Sequence, residues 1–152
     1  MKRWIWIVLL AASSASAHTL GVSRVALYDI EQNAASIRVD LPLRELALAL
    51  PLNADGDGLL RWQEIVASRP QIQEWLRRRL VIRDAEACSM VDGTLAMAAY
   101  DDGPALAWSG RLHCGDPIDR LLIESRLLFD VDARHRTLVH MHGARGDQVI
   151  VL

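Results

Sequence analysis

The chain is predicted to be an α+β protein, mainly an antiparallel β-sandwich with an inserted, EF-hand-like helix-loop-helix. Three observations carry this. Apolar and polar residues alternate over several short runs, most clearly 35–41 and 105–114. Between the early and late runs the period lengthens, with Leu43, Leu46, Ala47 and Leu50, then Ile72, Trp75, Leu76 and Leu80, at helical spacing. Turn residues separate the runs, as in Asp101-Asp102-Gly103-Pro104. Many short strands with turn signals imply an antiparallel sandwich.

The start of the chain stands apart from the fold. Lys2 and Arg3 form a positive segment, Trp4 to Ala12 a short apolar one, and Ala15-Ser16-Ala17 a small-residue cleavage site. Residues 1–17 therefore read as a secretory signal peptide, the alternative being an uncleaved anchor. The apolar segment is too short to span a bilayer. Cleavage after Ala17 leaves His18 as the first residue and a single extracytoplasmic domain over 18–152, periplasmic or secreted.

The chain has 152 residues, with 17 Lys and Arg against 19 Asp and Glu, a formal charge of −2. Loss of Lys2 and Arg3 makes it two units more negative. The basic footprint of a nucleic-acid binder is absent. Cys88 and Cys114 are the only cysteines, and in an exported chain an even pair reads as a disulfide. The closed loop of about 26 residues contributes roughly 3.5 kcal/mol on chain-entropy grounds. Two free buried thiols are the alternative.

Taken in order, 22–30 reads as a strand with Val25, Leu27 and Asp29 on one face. In 35–41, Ile37, Val39 and Leu41 alternate with Ser36, Arg38 and Asp40. With Gln32-Asn33 between them, the two form an antiparallel hairpin. Pro42 breaks the strand and can start a helix. The helical insertion covers about 43–79. It includes a segment from Trp62 to Ser68 and another from Pro70 to about Arg79. The Arg77-Arg78-Arg79 cluster suits the negative end of a helix dipole, with a contact to an acidic partner or lipid as the alternative. Strands follow at Leu80-Val81-Ile82, 94–100, 105–114, a long one at 121–131, 137–142 and 148–152. In 105–114, Leu106, Trp108, Gly110 and Leu112 share a face.

Asn53 to Glu64 carries the chemistry. It fits the twelve-residue calcium loop of an EF-hand, with oxygen side chains at the first, third and fifth positions: Asn53, Asp55 and Asp57. Gly58 is sixth, where the chain turns sharply. Leu59 is seventh, where only a backbone carbonyl is needed. Glu64 is twelfth, where a carboxylate grips with both oxygens. Ca²⁺ is the cofactor this set implies, because a hard cation wants six to eight oxygens. The alternative is an acidic, glycine-rich turn that binds nothing. Asn53 removes one charge from the usual set, Arg61 places a cation at the ninth position, and Pro51 disturbs the entering helix. No second loop of this kind is present. The expected affinity is weak, with a Kd on the order of 10⁻⁴ to 10⁻³ M.

Several short pieces together carry a family resemblance. They are Ala17-His18, Val39-Asp40-Leu41-Pro42-Leu43, Asp55-Gly56-Asp57-Gly58 leading to Trp62, and Leu128-Phe129-Asp130-Val131-Asp132 with His135-Arg136. The chain resembles the soluble extracytoplasmic region of bacterial HupE/UreJ-type membrane proteins. The resemblance spans most of residues 18–152. It implies a link to nickel or other metal handling and a membrane protein partner. No multi-helix membrane module follows within the 152 residues. That departure leaves a free-standing periplasmic domain or a split partner of a membrane protein.

The histidines supply a second metal reading. His140 and His142 fall on one face of a strand, and a mature N-terminal His18 adds an amine and an imidazole, a set that suits Cu²⁺ or Ni²⁺. Surface histidines on an edge strand are the plainer reading, as is a polar turn for Asp130, Asp132 and His135. Asp101-Asp102 and Asp116 with Asp119 also sit in turns, and His113 has no motif around it. No nucleophile elbow, phosphate-binding glycine loop or His-Glu-x-x-His occurs, so no enzyme activity is expected.

Overall fold

The computed structural model describes residues 21–118, 120–143 and 146–152. The signal-peptide reading, His18 and Asp119 lie outside them. The elements run β1 (Val22–Glu31), β2 (Ala34–Pro42), α1 (Leu43–Ala49), α2 (Trp62–Ala67), α3 (Arg69–Arg79), β3 (Leu80–Arg83), β4 (Ser89–Tyr100), β5 (Gly103–His113), β6 (Leu122–Ser125), β7 (Arg136–Gly143) and β8 (Gly146–Val151). The fold is β-rich α+β. One six-stranded sheet has the order β4-β5-β2-β1-β7-β8, and β3 pairs with β6 in a two-stranded sheet. All neighbours are antiparallel except β1 and β7, which run parallel, with Val25 opposite Val139.

One face of the large sheet makes the core. Val25 and Leu27 of β1, Ile37, Val39 and Leu41 of β2, and Leu106, Trp108 and Leu112 of β5 are buried together with Leu46, Ile65, Ile72, Leu76, Leu80 and Ile82. The alternation in β2 and β5 sends these residues to one side. The helices meet them with residues at helical spacing. The second layer is thus α1 to α3 with a two-stranded ribbon, in place of a second extended sheet.

Trp108 shapes its surroundings. A Cβ on Gly93 would lie 1.9 Å from its Nε1, and one on Gly110 would lie 2.7 Å from its ring. Both positions must stay bare for the indole to lie across them. The β4–β5 register shifts between Val91 and Thr94, with Asp92 at φ 57°. That bulge is how β4 passes over the ring.

Cys88 and Cys114 form the expected disulfide. The Cys114 N–H donates to Asn33 O at 2.8 Å, so the link also reaches the β1–β2 turn. Two expectations are corrected. Asp29 does not share the buried face of Val25 and Leu27; it is exposed at φ 49°, where the β1–β2 register shifts between Tyr28 and Glu31. The long strand at 121–131 stops at Ser125. Leu127 and Leu128 are both buried, 0% and 1% exposed. A strand would send consecutive residues to opposite faces. Here the chain turns instead, with Leu128 at φ 58° and its carbonyl accepting from the Val131 and Asp132 N–H groups.

Candidate metal centre

The loop between α1 and α2 is organised by its own side chains. Pro42 closes β2, and α1 follows at once. Leu52 buries itself in the core, 1% exposed, and anchors the start of the loop. Asn53 Oδ1 accepts from the Gly56 N–H at 2.8 Å, Asp55 Oδ1 from the Asp57 N–H at 3.2 Å, and Asp57 Oδ1 from the Leu59 N–H at 2.8 Å. Each short side chain turns the backbone ahead of it, the Asx mechanism. Gly56 and Gly58 take φ 71° and 82°, a conformation that costs glycine little.

Glu64 closes the loop. Its Oε1 accepts from the Ala54 N–H and its Oε2 from the Arg61 N–H, both at 2.9 Å. The second contact caps α2 by reaching back from its first turn. These donors hold the Glu64 carboxyl below the ordinary range, the Arg61 N–H foremost.

Arg61 lies across the two aspartates, with Nη1 3.1 Å from Asp55 Oδ2 and Nη2 2.5 Å from Asp57 Oδ2. Its guanidinium, followed by the Leu59 N–H, lowers the Asp57 pKa. The structure thus gathers Asp55 and Asp57 about one cation and ties Glu64 to the ends of the loop. Among the described residues, no three His, Cys, Asp or Glu side chains converge in a metal-holding group. The donor types of Asn53, Asp55, Asp57, Glu64 and the Leu59 carbonyl are all oxygen and suit a hard cation. The Arg61 side chain would have to leave the two aspartates for that cation to take its place.

The other sequence-derived groups separate. His140 and His142 do share a face of β7, their rings stacked with centroids 6.3 Å apart, and His142 Nδ1 lies 3.0 Å from Asp147 Oδ1. Met141 packs against the core. Asp130 pairs with Arg79, while Asp132 Oδ1 accepts from the Arg134 N–H at 2.8 Å. His135 is not gathered with these aspartates. It is 2% exposed, and its Nε2 lies 2.8 Å from Ser23 Oγ and accepts from the Ser23 N–H at 3.2 Å. That acceptor role fixes Nε2 as unprotonated. Burial pushes the His135 pKa down, opposed by Glu45 and Asp132.

A polar network on the outer face of the sheet also escaped the sequence reading. Asp40, 4% exposed, accepts from Arg38 Nε at 3.0 Å and from the Tyr100 hydroxyl at 2.9 Å. Burial, then Asp40, raises the Tyr100 pKa. Arg24 stacks on the Tyr100 ring at 3.8 Å and bonds Asp102. The alternation in β2 marked Arg38 and Asp40 as neighbours on one face; nothing in the sequence tied them to Tyr100.

No family model matches the chain, and no curated protein matches it. The Cys88–Cys114 disulfide fits an oxidising compartment. Among the described residues, no helix is long and apolar enough to cross a membrane.

Proposed function

We propose that the protein is an exported, periplasmic or secreted calcium-binding protein, with one EF-hand-like loop and calcium serving mainly a structural role. The observation that carries this reading is the backbone course of residues 53–64. Asn53, Asp55 and Asp57 each turn the chain through one oxygen, and Glu64 closes both ends. Asn53, Asp55, Asp57, Glu64 and the Leu59 carbonyl would hold the ion, which would supply the charge that Arg61 now supplies. With calcium at ~1 mM and a Kd of ~10⁻⁴ M, binding would add ~1.4 kcal/mol of stability. A single loop without a paired partner suits that role better than signalling.

Calorimetric titration of Ca²⁺ into chelator-stripped protein tests this reading, beside Asp55→Ala and Glu64→Ala. Saturable binding of a single ion, lost in both variants, is the expected result. No heat at several millimolar calcium, with an unchanged melting temperature, would reduce the loop to a turn.

One observation favours a second reading, that His140 and His142 share a face of β7 with their rings stacked. On it, the domain is an accessory module for a membrane metal transporter of the HupE/UreJ type and takes Cu²⁺ or Ni²⁺. Replacing both histidines with Ala would then lower Cu²⁺ or Ni²⁺ binding and leave Ca²⁺ binding intact.

A further inference from the structure

We propose that the groove at the open end of the β1, β7 and β8 strands binds a long-chain fatty acid. Its volume is about 730 Å³, within the range of small-molecule sites. Ile30, Ile118, Leu121 and Met141 line it, and all four are partly buried residues packed against the core. The groove is therefore a place where the core reaches solvent, and Ile150 on its lip is 41% exposed.

The strands explain why the space is open. Met141 stands opposite Leu27, which is fully buried, so Met141 faces inward. Gly143 follows two residues later on the same face. It pairs with Gly146 of β8. The last cross-strand pair thus has no side chain on either strand. A Cβ on Gly143 would meet only Ile30 Cδ1, at an ordinary 3.9 Å. A larger side chain there would enter the groove without straining the backbone.

Charge selects the occupant. Arg120 is the one charged side chain among the described lining residues, and none of them is a carboxylate. A largely apolar trough with one guanidinium in its described lining matches a ligand with an apolar chain and one carboxylate, which arginine can hold with two parallel hydrogen bonds. This inference is independent of the calcium reading.

The test is titration of cis-parinaric acid into the full chain, followed by fluorescence, with displacement by laurate or by 1-dodecanol. Saturable fluorescence is expected, with laurate the stronger competitor. Gly143→Leu should lose the signal while melting at the parent temperature. Arg120→Gln, a change at an exposed residue, should weaken laurate several-fold and leave dodecanol unchanged. The proposal is overturned by any one of three results. These are no saturable fluorescence, a folded Gly143→Leu protein that binds as the parent does, or an Arg120→Gln protein whose preference for laurate persists.

Discussion

The Asn53–Glu64 loop and the Ser23–His135 contact are both polar clusters, and they are built in opposite ways. The loop is exposed and local: every donor and acceptor in it comes from within twelve consecutive residues. The Ser23–His135 contact is buried and joins residues 112 positions apart. Water competes for each bond in the loop, so those bonds shape the backbone and contribute little to global stability. Water does not reach His135, so its loss would leave the Ser23 N–H and hydroxyl without their acceptor. The one cluster specifies a conformation, and the other fastens β1 to the start of β7.

The largest effect should come from breaking the buried cluster. His135→Ala removes an acceptor and opens a cavity, at a cost of about 3 kcal/mol, read as a lower urea midpoint. Glu64→Ala in calcium-free protein should move that midpoint far less. Equal shifts in the two variants would erase the contrast.

Acid should expose the same difference. Burial holds the His135 pKa below its ordinary value, so the folded chain favours neutral imidazole and the unfolded chain takes up the proton more readily. The stabilisation is complete above about pH 6.5, the ordinary histidine value. It is lost as pH falls through the lower folded pKa. The charges of Glu45 and Asp132 favour the protonated ring and soften this loss, while that of Arg136 sharpens it. Urea midpoints measured from pH 7.5 to 5 should fall in the parent and stay flatter in His135→Gln.

The smallest stability effect belongs to Arg61→Gln. It removes two exposed ion pairs and should barely shift the melting temperature. Calcium affinity should instead rise several-fold, because Asp55 and Asp57 would no longer be held by a tethered cation. A calorimetric Kd unchanged by this substitution would show that Arg61 does not compete for the site.

These regions also differ in how far they could be read from residue order. The β1–β2 hairpin and the inward faces of β2 and β5 were legible because each rests on local spacing, and the polar turns of residues 53–64 rest on local spacing too. The Cys88–Cys114 pairing followed from there being only two cysteines. Leu127 and Leu128 misled, because an apolar run looks the same whether the chain continues as a strand or folds its leucines into one core. His135 was grouped with Asp130 and Asp132 by proximity in the chain, whereas the parallel pairing of β1 with β7 takes it to Ser23. The β-rich α+β class was legible, but what covers the large sheet was not, since periodicity does not say which element packs on a sheet.

The parallel β1–β7 pair has a consequence for the order of assembly. The β1–β2 hairpin can close while little more than twenty residues of the domain are available, whereas the other edge of β1 has no neighbour until residues 136–141 have emerged. Until then, Val25 and Leu27 flank an open strand edge. A chain threaded through a membrane from its N-terminus would thus remain unfinished, and pliable, for nearly its whole passage.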